Sequence, residues 1–220
     1  RSRWPARIRS GSVPTTDRLR AQIRCQRVAI SASAAPAAPL APEPEPVPRR
    51  WELQFDPGPL RIASVNVPDV GVRQYVYFTY RVTNNAGEDV FFAPSFDYSD
   101  GEGGVYRSGR DVPQAVTSRL LEVVQNRYIQ DHVQIIGDIL QGPAHAKDGL
   151  VIWPLVDTNP SEVVVYVTGL SGESKTIASP DGKDKFVVRK TMRMEFEAPG
   201  SLDGRGSQPL ELKSRSWIMR

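Results

Sequence analysis

Three features of this sequence predict an all-β chain, an antiparallel sandwich interrupted once by helix. The stretch Arg73-Gln-Tyr-Val-Tyr-Phe-Thr-Tyr-Arg-Val-Thr-Asn84 alternates along its whole length, with Val76, Phe78, Tyr80 and Val82 on one face. About nine runs of strand character, set between Gly, Pro, Asn and Asp clusters, recur from residue 51 to the end. Only residues 111–142 change to the helical period.

Taken in order, Trp51-Glu-Leu-Gln-Phe55 alternates, Asp56-Pro-Gly-Pro59 reads as a turn, and Leu60–Val65 reads as a second strand. The long strand follows, and its other face (Tyr75, Tyr77, Thr79, Arg81) is expected to be the wetter one. Asn84-Asn-Ala-Gly-Glu88 carries turn chemistry, because Asn and Gly tolerate positive φ. The return strand Val90–Tyr98 contains Pro94, which lacks an N–H donor and predicts an edge or a bulge there. A tight acidic turn, Asp97-Tyr-Ser-Asp-Gly-Glu-Gly-Gly104, leads into Val105-Tyr-Arg.

Val116, Leu120, Val123, Val124 and Tyr128 recur at helical spacing behind Pro113, which suits a first helical turn. Val133, Ile136, Ile139 and Leu140 predict a second helix ending at Gly142-Pro143. Strands then resume. Leu150–Leu155 and Glu162–Thr168 are apolar on both faces, as sheet centres are. Phe186–Phe196 places Phe186, Val188, Met192, Met194 and Phe196 inside, with Lys190 at the rim, and Leu210–Lys213 with Trp217-Ile-Met forms a closing strand. This number and spacing of strands predicts one Ig-like antiparallel β-sandwich over residues 50–220, with a two-helix insertion at about 111–142.

Residues 1–49 read as a disordered tail. Residues 1–50 hold ten arginines against three acids, a net of +7, which leaves 18 cations and 22 acids, a net of −4, in the foldable part. Basicity therefore belongs to the tail, and the domain would repel a phosphate backbone, which argues against nucleic acid. The chain does not start with Met, and the arginine-rich start reads as a recorded frame running upstream of a non-Met start near Val13, Leu19 or Val28. Ala32-Ser-Ala34 fits the end of a signal peptide. Residues 35–48, rich in Pro, Ala and Glu, read as an extended, solvated linker. Cys25, the only cysteine, lies in the tail, which excludes a Cys nucleophile or Cys-ligated metal in the domain. No run approaches the length of a membrane span.

The segments Tyr77-Phe-Thr-Tyr-Arg-Val-Thr-Asn84, His145-Ala-Lys-Asp-Gly149 and Gly169-Leu-Ser-Gly172 resemble uncharacterised exported Ig-like β-sandwich proteins of planctomycete-type bacteria. The resemblance covers roughly residues 51–220. It implies a fold and an extracytoplasmic compartment, secreted or in the cell envelope, and carries across no functional residues.

Four constellations invite chemistry. His132 and His145, beside Asp131 and Asp148, would make a metal or acid–base pair if folded together, the basis of an alternative reading as a metal-dependent or hydrolytic enzyme. Asp97, Asp100 and Glu102 crowd one turn, as calcium sites do, but without EF-hand spacing. Met192 and Met194 could offer sulfur to copper, yet share the core face. Gly169-Leu-Ser-Gly-Glu173 lacks the fifth-position glycine of a nucleophile elbow. The expectation is therefore a non-catalytic binding or structural module with no cofactor and no metal. An envelope protein or a second copy would dock on the helical insertion through Leu120, Leu121, Val124, Tyr128, Ile129 and Ile135.

Overall fold

The computed structural model describes residues 41–48, 50–179, 181–198, 200–206 and 208–220. The arginine-rich start, Cys25 and the Ala32-Ser-Ala34 pattern lie outside the described residues.

The long alternating stretch is β3 (Gly71–Thr83), the centre of the first sheet. Along one of its edges lie β1 (Gln54–Pro57) and β2 (Arg61–Val67); along the other lies β9 (Lys147–Pro154), which also pairs in parallel with the short β7 (Ile129–Gln130). The expected turn at Asp56–Pro59 is not one. Pro57 pairs with Tyr80 and Arg61 with Tyr77, so β1 and β2 run end to end against the same partner. The prolines cost ladder bonds, but Gly58 N–H still donates to Thr79 C=O at 2.7 Å, and the break becomes a kink in one edge strand.

The second sheet is built on β12 (Lys185–Phe196). One edge of β12 carries β10 (Val163–Thr168) and then β11 (Ser174–Ala178); the other carries β13 (Leu212–Met219). Beyond β10 come β5 (Ser95–Ser99) and β6 (Val105–Arg107). A two-stranded ribbon pairs β4 (Val90–Phe92) with β8 (Gly137–Ile139). Pro94 falls in the break between β4 and β5, where neither strand needs its N–H, so β5 can be paired on both sides.

The inner faces of the two sheets share one core. Val76, Phe78, Tyr80 and Val82 meet Phe96, Tyr98, Val165, Met192 and Met194 there. Phe96 lies 4.8 Å from Tyr80 and 5.9 Å from Phe78 between ring centres, and Trp153, fully buried, stacks on Phe78 at 5.9 Å and 17°. Methionine at 192 and 194 is core, as its period predicts. Phe186 is not: it is 53 % exposed, because β11 and the start of β12 run on as a two-stranded ribbon past the shared core.

One helix forms, not two. α1 (Gln114–Val124) ends at Gln125 in the left-handed conformation (φ 54°). It lies on the outer face of the first sheet, where Val116 and Leu120 cover Tyr75, Tyr77, Leu150 and Ile152. The face expected to be wetter is thus a second core over half its length. The second helical pattern fails for local reasons. Asp131 Oδ1 accepts from the N–H groups of Val133 and Gln134 at 2.8 Å each, a turn that competes with helix, and Ile139 is drawn into β8 opposite Val90. Among the described residues, no helix is long and apolar enough to cross a membrane.

Candidate binding groove

The two sheets are joined at a corner beside which the chain leaves a groove. Between β10 and β11, Gly169–Glu173 swings out of the second sheet and pairs with the residues leading into β1: Leu53 N–H donates to Leu170 C=O at 2.8 Å, and Gly172 N–H to Trp51 C=O at 3.0 Å. The approach depends on Gly172, where a Cβ would stand 2.7 Å from Trp51 Nε1. The elbow-like Gly169-Leu-Ser-Gly segment is this corner, with Ser171 Oγ accepting from Glu173 N–H.

Under the corner sits a buried charge network. Lys190 is 3 % exposed, so it belongs to the interior and not to the rim. Its ammonium lies 2.8 Å from Glu52 Oε2 and 3.4 Å from Glu173 Oε2, with the Trp217 ring centre at 5.0 Å. Burial alone would raise the Glu173 pKa, but the Glu45 N–H, at 2.9 Å from Oε1, together with Lys190 and Lys175 holds it below the ordinary carboxylate value. Lys175 also reaches the Glu43 carbonyl. The segment expected to be a solvated linker is therefore seated on the domain at Glu43–Glu45, and the domain begins upstream of Arg50.

Beside this network, a groove of about 410 Å³ opens between β1 and β13, the edge strands of the two sheets. Phe55 and Met192 form its floor, and Trp217 and Arg215 form the β13 wall. On the β1 wall, Gln54 Nε2 donates to Asp56 at 3.0 Å and Asn85 Nδ2 to Gln54 at 3.1 Å. Arg215 Nη1 donates to the Phe55 carbonyl at 3.3 Å, a side-chain bond that crosses the mouth. The arrangement offers recognition: planar hydrogen-bonding groups, a half-buried indole and an unpaired strand edge.

The residues expected to form a helical interaction surface are divided. Leu120, Ile129 and Ile135 are 1 %, 8 % and 0 % exposed, so they are core and out of a partner's reach. Leu121 and Val124 are half-buried against the second core, and Tyr128 is 68 % exposed. Ile135 packs with the inter-sheet core and Ile129 under the helix side, which is why they do not share a face.

The two histidines do not meet. His132 packs against Gly109, whose N–H donates to Ile152 C=O near the end of β9, whereas exposed His145 lies two residues before β9 begins. Five residue-to-residue steps of strand run from Lys147 to Ile152, roughly 17 Å. The acidic turn is also committed internally. Asp100, 3 % exposed, accepts from Glu102 and Gly104 N–H groups through Oδ1 and from the Tyr106 hydroxyl through Oδ2, and Asp97 pairs with Arg107 and Arg220. A Cβ at Gly104 would stand 2.3 Å from Asp100 Oδ2, so the glycine-rich turn serves this closure. Among the described residues, no three His, Cys, Asp or Glu side chains form a metal-holding group.

The groove escaped sequence reading because its walls are about 160 residues apart in the chain. Its one visible signal was a lysine on an apolar face at position 190. Comparison with family models, with curated proteins and with solved structures found no match to this chain.

Proposed function

We propose that this chain is a non-catalytic binding module of the extracytoplasmic space, an Ig-like sandwich whose binding site is the groove between β1 and β13. The observation that carries the reading is the Trp217 indole, half-buried at the groove wall and braced from beneath by the buried Lys190 ammonium. A rigid aromatic at the mouth of a preformed groove gives contact area at low entropic cost, and flanking planar polar groups fix orientation. Export to the secreted space or envelope belongs to the same proposal, supported by the Ala32-Ser-Ala34 pattern and by the resemblance to exported planctomycete-type proteins.

The test is a screen of small aromatic, saccharide and peptide fragments against the full chain, read as amide NMR shifts. The reading expects responses at Phe55, Met192 and Trp217 that vanish in Trp217→Ala. Responses confined to the α1 face around Val123 and Tyr128 would move the site to the helical insertion instead.

A further inference from the structure

We infer that the free edge of β13 receives an extended acidic strand from a partner protein, paired antiparallel, in the order apolar–x–acid–x–acid. This rests on the groove being the binding site and specifies what enters it.

The backbone supplies the first part of the argument. Arg189 and Arg220 exchange both main-chain bonds, at 2.7 and 3.1 Å. Antiparallel pairs alternate between bonded and non-bonded positions, so Ile218, Ser216 and Ser214 bond inward to β12. The N–H and C=O groups of Arg215 and Trp217 therefore point outward, and nothing among the described residues pairs with them. Those outward positions border the groove. A strand added there would lie across its mouth and send alternate side chains over it.

Side-chain chemistry selects the partner. β13 carries Lys213 and Arg215 and no acid, and among the described residues neither cation has a carboxylate partner. Arg215 belongs to the same alternating set as Trp217, and Lys213 follows at the bulge where β13 shifts register between Glu195 and Phe196. Opposite charges directly across an antiparallel pair stabilise it, and like charges do the reverse. An incoming strand should thus place an apolar side chain opposite Trp217, an acid opposite Arg215 and a second acid within reach of the bulged Lys213. A second copy of this chain is a poor occupant, since two β13 edges would bring Lys213, Arg215 and Arg220 of each together. Ser214 and Ser216 on the alternate set are small and exposed.

The experiment titrates the full chain with three capped peptides: Thr-Phe-Thr-Glu-Thr-Glu-Thr, the same peptide with Lys for Glu, and Thr-Phe-Pro-Glu-Pro-Glu-Thr, which cannot pair. The acidic strand should bind on the order of tenfold more tightly than the lysine peptide, weaken with salt, and shift the amides of Arg215 and Trp217. Lys213→Glu with Arg215→Glu, both on an exposed edge, should reverse the preference. Equal binding of all three peptides, or no binding of any, would overturn the acidic-strand inference. Fragments that still perturb Phe55 and Met192 in that case would leave the groove standing as a site, whereas silence in both experiments would remove both readings.

Discussion

The ammonium of Lys190 lies 2.8 Å from Glu52 and is 3 % exposed, so this ion pair, dry at its lysine end and partly exposed at Glu52, ties the start of the first sheet to the middle of the second. Removing one partner of such a pair leaves the other's charge stranded. Lys190→Met should cost about 3–5 kcal/mol in denaturant unfolding. Adding Glu52→Gln should recover part of that loss; a single-variant cost under about 1 kcal/mol would show the pair to be solvated.

Glu173 gives stability a pH dependence. Its folded pKa is lowered, so its contribution is present above the unfolded carboxylate value of about 4.3 and is lost as pH falls through the lower folded value. Asp148, lowered first by its Arg81 hydrogen bond at 2.7 Å, works in the same direction. From about pH 4.5 downward, thermal midpoints of the native chain should fall more steeply than those of Glu173→Gln. Parallel curves would show that Glu173 is not linked to folding.

Seating of Glu43–Glu45 on Glu173 and Lys175 makes the Pro/Glu segment part of the domain's stability. A chain beginning at Arg49 should melt roughly 3–6 °C lower, the scale of one charge-assisted hydrogen bond with its neighbours in a domain of this size. An unchanged midpoint would return these residues to the status of a spacer.

Trp153 is fully buried, stacked on Phe78 and 5.9 Å from Tyr98, with Nε1 donating to Phe96 C=O at 3.4 Å. Trp153→Ala should cost about 3–5 kcal/mol by equilibrium unfolding. A loss under about 1 kcal/mol would mean the inter-sheet core closes without it.

Asn84, also fully buried, donates to Glu88 C=O at 2.7 Å and Ile139 C=O at 2.8 Å and accepts from Ala86 N–H at 3.0 Å. Asn84→Ala strands these groups and should cost about 2–3 kcal/mol, with faster hydrogen exchange at Ala86. Exchange unaltered at that amide would show that the turn holds without the side chain.

What could be read from the chain beforehand was what period and turn chemistry encode locally. Alternation from Tyr75 to Val82 identified β3 and its inner face, and the period-two count put Met192 and Met194 in the core. What could not be read depends on partners far along the chain. Tyr75 and Tyr77 look like solvent-facing residues until α1 lies on them. Val133, Ile136 and Ile139 keep helical spacing, but Asp131 captures two amides and β4 recruits Ile139. Pro57 and Pro59 read as a turn because local sequence cannot show that β3 is long enough to hold both halves of a kinked strand. The groove was invisible for the same reason, since neither Phe55 nor Arg215 announces the other.

The corner at Gly169–Glu173 also bears on how quickly this protein can fold. It joins residues 51–53 to residues 170–172, and β3 must find β9 across the 63 residues between Thr83 and Lys147. Contacts so distant in sequence require large loops to close before any of their energy is gained. The β2–β3 and β11–β12 hairpins can form early, because their partners are adjacent in the chain. The corner has to wait for both sheets. Refolding should therefore run in milliseconds to seconds, with protection at Leu53 and Gly172 among the last to appear, and until then both walls of the groove face water as loose strand ends.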